Sequence, residues 1–156
     1  MINLGTLYLD NFGKKDQALL LIKKAQRLDS KSAFGCMALG NIYYKLEDYE
    51  KAEHYLSVAI DRAKFLAPAI NCLGIVKIYL GKKNEAVNEF QYGISVDPEY
   101  EEFYFNLAKL YSNEKMFSDA IQILDKYLSG NRDSRKGKAL LKVIKENAQS
   151  INPVEE

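Results

Sequence analysis

The residues that could do chemistry in this chain are few, and their spacing argues against a reaction. His54 is the only histidine. It stands between Glu53 and Tyr55, with no nucleophile, base or further ligand at the spacing a triad or a metal site requires. It reads as a solvated helix residue. Cys36 and Cys72 lack the spacing of a metal knuckle and read as free thiols packed in helices; a domain of this size needs no disulfide staple. The glycines are scattered and form no loop that could cradle a phosphate. The carboxylate pairs Asp48–Glu50 and Glu101–Glu102 fall where helices are expected to start and complement the helix dipole there. No catalytic residue, cofactor or metal is therefore expected, and an enzyme is disfavoured.

One charged stretch remains. From Arg132 to Lys145 the chain holds six cations against Asp133 and Glu146. Such a run could face phosphates, but no aromatic residues interleave with it to stack on bases. It reads first as a solvated helix face and next as a surface for an acidic protein partner, with nucleic acid disfavoured.

The bulk properties agree. The chain has 156 residues, 47% hydrophobic and 28% charged, with a formal net charge of +1. Nothing there draws it to nucleic acid or to an anionic membrane. No run of about 18 apolar residues exists, so membrane insertion is not expected. The start, Met1-Ile2-Asn3-Leu4-Gly5, lacks a basic region before an apolar stretch and does not read as a secretory signal, so a cytoplasmic location is expected.

The elements that must position these side chains announce themselves by repetition. Ala18, Ala52, Ala86 and Ala120 are spaced 34 apart. Four residues after each comes a large apolar residue: Ile22, Leu56, Phe90, Leu124. Twelve residues before three of them stands a small residue after a leucine: Leu39-Gly40, Leu73-Gly74 and Leu107-Ala108. Leu4-Gly5 is the same signal, one residue further out. A period in this range means a solenoid, whose units bury their apolar faces against their neighbours. Small residues at fixed points let two helix axes approach, and the large residue four on fills the space beside the crossing.

Each unit reads as two helices. First helices are expected near 33–46, 67–80 and 101–114, and second helices near 49–63, 84–96 and 118–129; an opening pair covers about 2–11 and 15–29. Asp48, Asn84 and Ser118 fall near second-helix starts, where a side-chain oxygen can accept from unpaired amides. Pro68 falls in a first helical turn, where its missing donor costs little. Ser134 to Gln149 breaks the pattern. Leu140, Leu141, Ile144 and Ala148 form one apolar stripe, opposite a face carrying Arg135, Lys136, Lys138, Lys142 and Lys145, as a capping helix should. Residues 150–156 are expected to be a flexible tail.

These units resemble tetratricopeptide repeats. The aromatic–x–x–Leu–Gly–x–x–Tyr run of that family appears as Cys36…Leu39-Gly40…Tyr43, as Ile70…Leu73-Gly74…Lys77 and as Tyr104…Leu107-Ala108…Tyr111. Its Ala–x–x–x–Phe and later small residue appear as Ala52…Leu56…Ala59 and Ala86…Phe90…Gly93. Lys77 stands where an aromatic is usual, and Tyr127 where a small residue is usual. The resemblance covers residues 1–133 as four repeats (about 1–31, 32–65, 66–99 and 100–133), followed by a capping helix at 134–149. It implies an all-α, right-handed superhelical solenoid. It also implies that first helices line a concave side on which partner peptides lie.

The residues then expected in that groove are Phe34, Met37, Asn41, Tyr44, Lys45, Asn71, Ile75, Ile78, Tyr79, Phe105, Asn106 and Lys109. Together they give the first helices a second apolar side, which marks an interaction surface. The asparagines add amides able to grip a peptide backbone. Some family members clamp a chaperone's C-terminal carboxylate with paired cations. Met37, Asn41, Cys72, Glu102 and Asn106 stand at the matching places here, so that ligand is not expected. The expected function is a non-catalytic scaffold that holds a protein or peptide partner. The alternative is self-association through the uncapped front end around Ile2, Leu4, Leu7 and Leu9.

Overall fold

The computed structural model describes residues 32–151, together with Leu20, Lys23 and Arg27. The rest of the expected opening unit, with Ile2, Leu4, Leu7 and Leu9, lies outside the described residues, as do 152–156. Seven helices fill 32–151: α1 (Ala33–Lys45), α2 (Tyr49–Arg62), α3 (Ala67–Tyr79), α4 (Lys83–Val96), α5 (Glu101–Asn113), α6 (Phe117–Gly130) and α7 (Arg135–Ile151). There is no strand among the described residues. Bounds of α1 to α6 fall within one residue of those expected. α7 runs two residues into the stretch expected to be flexible.

Each first helix stops in the same way. Glu47, Gly81 and Lys115, again 34 apart, take positive φ of 61°, 75° and 62°. Their amides donate to the carbonyls of Tyr44, Ile78 and Ser112. The next amides, of Asp48, Lys82 and Met116, reach back to Tyr43, Lys77 and Tyr111, all at 2.8–3.0 Å. This is the paired closure that a left-handed residue after a helix makes possible.

The residue that ends one helix then begins the next. The carbonyls of Asp48, Lys82 and Met116 accept from the amides of Ala52, Ala86 and Ala120. Ala52, Ala86 and Ala120 thus each close the first turn of a second helix. The turn geometry also corrects two expected caps. Asn84 and Ser118 lie within the first turns of α4 and α6, past the capping position, whereas Asp48 accepts from the Lys51 amide at 3.3 Å. Ser32 and Ser134, not anticipated, cap α1 and α7 through the amides of Gly35 (3.2 Å) and Gly137 (3.1 Å).

The chain forms two compact units, Met1–Glu89 and Phe90–Glu156. In the first, Ala52, Leu56, Ala59 and Ala69 are fully buried in one cluster with Cys36, Tyr43, Leu73 and Val76. Gly40 shows why a small residue is needed: a Cβ there would lie 2.5 Å from Leu56 Cγ. Tyr43 stacks on Tyr55 with centroids 5.3 Å apart. Lys77 occupies the corresponding place in the next pair, and it reaches Glu89 at 2.7 Å and Glu85 at 3.3 Å. Burial pulls its pKa down, but the hydrogen bonds and charges of Glu89 and Glu85 outweigh that and hold it above the usual lysine range.

In the second unit, Ala108, Ala120, Leu124 and Ile144 form the core, with Phe105, Leu140 and Leu141 packed against it. Phe103 lies over Gly93, where a Cβ would meet its ring at 2.3 Å. α7 seats on α6 through Ile144 and Gly137. Glu101, at the start of α5, accepts from the Tyr127 hydroxyl (2.9 Å) and from Lys136 (2.8 Å), which ties three helices together.

Candidate partner-binding face

In the first unit the candidate residues lie on α1 and α3, one face of which carries rings that its own core does not cover. Phe34 and Tyr79 are 62% and 57% exposed. Met37, Asn41, Tyr44, Ile75 and Ile78 are half-buried, and Lys45 is exposed. The structure brings Tyr44 and Tyr79 together edge to face, with centroids 5.6 Å apart. Burial first, and then the hydrogen bond with Tyr79, push the Tyr44 hydroxyl up to about 12. It stays protonated and keeps its donor at any physiological pH.

A residue missed in the sequence completes this patch. Tyr49 opens α2 and stacks on Tyr79 at 4.8 Å, 14° from parallel. It lies on a second helix, so helical spacing on the first helices could not find it. The signal was its place, directly after the turn that ends α1.

Three candidates fit the face less well. Asn71 is only 9% exposed and is not without a partner, so its amide is not offered to a peptide. It is buried on α3 together with Ala69, Ile70 and Leu73. Phe105, in the second unit, is half-buried and meets Tyr127 edge-on at 5.2 Å; it supports the core beneath it. Asn106 is half-buried and likewise not without a partner, whereas Lys109 on the same helix is exposed.

The chemistry-bearing residues are placed as follows. His54 is exposed, its ring edge-on to Tyr55. Cys36 is buried and receives a hydrogen bond from Arg62 at 3.0 Å. Burial pushes the Cys72 thiol up to about 12, which removes the thiolate a nucleophile needs. Among the described residues no group of three or more His, Cys, Asp or Glu could hold a metal ion. No helix among them is long and apolar enough to cross a membrane.

Two tetratricopeptide-repeat family profiles match the chain, over residues 35–64 and 78–144, and together they cover more than half of it. The chain is a tetratricopeptide-repeat protein. Tetratricopeptide repeat protein 6 of Homo sapiens is 27% identical over 93 residues, which are 60% of this chain and 16% of the human one. The chain thus spans a small part of the relative it matches. Among solved structures, MamA superposes with a TM-score of 0.75 at 25% identity, over 86% of this chain and 78% of that one. YrrB, described as a tetratricopeptide-repeat protein with an unusual peptide-binding site, gives 0.69 at 20% identity over 99% and 86%. The first tetratricopeptide-repeat domain of Spaghetti (RPAP3), bound to the HSP90 peptide SRMEEVD, gives 0.66 at 20% over 72% and 89%. The architecture is that of an all-α tetratricopeptide-repeat solenoid.

Proposed function

We propose that this tetratricopeptide-repeat chain is a non-catalytic protein-interaction scaffold whose first helices hold a peptide segment of a partner. One observation carries the reading: large rings stand exposed on the first helices of the first unit, with Tyr79 wedged against Tyr44 and Tyr49. Aromatic rings held in place by one another lose little freedom on binding, and they supply the buried anchors on which affinity concentrates. Asn41 and Lys45 flank them on α1. Two structures of this architecture, YrrB with its peptide-binding site and Spaghetti bound to an HSP90 peptide, support the class of function. Met37, Asn41 and Cys72 offer no paired cations, so the peptide this face takes is apolar and not an acidic chaperone tail.

The test is peptide selection against the chain from a displayed library. Each winner is then titrated against wild type and a Phe34→Ala/Tyr79→Ala variant. Phe34 and Tyr79 are exposed, but Tyr79 also packs on Tyr44 and Tyr49, so the variant should lose a few degrees of melting temperature, and circular dichroism checks that it stays folded at the titration temperature. Selected peptides are expected to bind the variant about tenfold weaker or more. Enrichment of no peptide, or equal affinity for both proteins, would remove the proposal.

A further inference from the structure

The final helix is built in register with the first helices before it. The 34-residue period carries Tyr104, Leu107, Ala108 and Tyr111 onto Lys138, Leu141, Lys142 and Lys145. Its seating agrees. Phe103 lies against Gly93, and Gly137, one period on, lies against Tyr127 and Leu128. Ile144 is buried as Leu110 is.

In the earlier first helices, these positions pack on the second helix of their own pair. Gly40 sits under Leu56, Tyr43 on Tyr55, and Lys77 on Glu89. On α7 the same face is open. Lys138, Lys142 and Lys145 are exposed, and Leu141, which packs part of its surface on the core, shows the remainder beside them. A hollow of about 390 Å³ runs along it, lined by these four with Glu146 and Gln149.

We propose that this face docks an acidic amphipathic helix of a partner protein. Lys145 stands two periods after Lys77, and Lys77 displays what a helix offers a lysine at that place: two glutamates one turn apart, Glu85 and Glu89. Lys142 takes the place of Gly40, Gly74 and Ala108, where nothing larger than a methyl group stands, and at Gly40 even a Cβ would meet Leu56 at 2.5 Å. A lysine there bars the close crossing made inside each pair. The occupant rides further out and meets three ammonium groups around one leucine. A helix with carboxylates one turn apart and an apolar side chain between them matches this pattern in both charge and spacing. Lys142 now leans on Glu146 at 3.8 Å, an exposed pair that yields readily to a better partner. The face carries no aromatic residue on which a nucleic-acid base could stack. It shares no residue with the tyrosine patch on α1 and α3, and neither reading rests on the other.

The probe is a fluorescein-labelled helical peptide of about 20 residues, with Glu at i and i+4 and Leu between, read by anisotropy against the full chain at low ionic strength. A scrambled peptide of equal charge, a DNA duplex and phosphatidylserine vesicles are run beside it. Saturable binding is expected, weakened about tenfold or more by Lys142→Glu/Lys145→Glu and by scrambling. Circular dichroism checks that the variant stays folded. No binding, indifference to the charge reversal, or equal uptake of the scrambled peptide, the duplex or the vesicles would overturn the proposal.

Discussion

Tyr127 and Gly137 form the inverse of the contact between Gly93 and Phe103. A Cβ on Gly93 would lie 2.3 Å from the Phe103 ring, and a Cβ on Gly137 would lie 3.2 Å from the Tyr127 ring. The two pairs are one period apart, and one period earlier the same places hold Ala59 and Ala69, both fully buried. At most one member of each pair is large. Close-packed interiors have no room for two large side chains at such a join. This accounts for Tyr127, which departs from the small residue usual at its position: Gly137 makes the space.

Replacing Gly93 with alanine should therefore destabilise the protein. Alanine gains about 1 kcal/mol of helix propensity. Forcing a methyl into the buried Phe103 ring costs about 1–3 kcal/mol. Pairing Gly93→Ala with Phe103→Leu should relieve part of that cost, giving a favourable coupling of about 1 kcal/mol in a double-mutant cycle. Urea denaturation of the four proteins measures it. Strict additivity would mean that the ring does not limit this position.

The three left-handed turn residues make a second prediction. A side chain at positive φ costs about 1–2 kcal/mol, partly offset when glycine brings extra freedom to the unfolded chain. Glu47→Gly and Lys115→Gly should each stabilise the protein by about 0.5–1 kcal/mol, and Gly81→Ala should destabilise it by a similar amount. A Cβ on Gly81 would have nothing within 4 Å, so the loss would come from the backbone alone. Chemical denaturation midpoints decide it, and an unchanged Gly81→Ala would contradict the argument.

Lys77 and Glu89 replace an aromatic stack with an ion pair, since Tyr43 and Tyr55 hold the same places one period earlier. Lys77→Met should cost about 1–2 kcal/mol, because it leaves Glu85 and Glu89 facing each other without their cation. The folded pKa of Lys77 is raised, so the pairing contributes in full below the unfolded lysine value. It fades as pH rises past about 10.4 and through the folded value. Wild type should lose more thermal stability than Lys77→Met over that alkaline range.

Glu101 gives the opposite sign. Lys136 first, and then Tyr127, hold its carboxyl below the usual glutamate range. Its contribution is present above about pH 4.3 and is lost as pH falls below that through the folded value. The melting temperature of wild type should therefore drop further on acidification than that of Glu101→Gln. Lys136→Met should reduce the difference more than Tyr127→Phe does. Superimposable acid profiles for wild type and Glu101→Gln would show that the bridge contributes nothing.

The sequence alone determined the period, the bounds of α1 to α6 to within one residue, the small residues at the crossings and the seating stripe of α7. These are legible because each depends on local backbone preference, or on contacts that recur at a constant offset along the chain. Tertiary structure decided which candidate side chains stay uncovered. Asn71 and Phe105 stand one and two periods after Met37, which is half-buried on the open face, yet Asn71 is buried and Phe105 packs edge-on to Tyr127. It also decided that Tyr49 joins Tyr44 and Tyr79, and that Glu101 meets Lys136 35 residues away. Helical spacing tells which way a side chain points from its own axis. Whether anything lies in that direction depends on the packing of the other helices, and the pattern of one helix does not contain it.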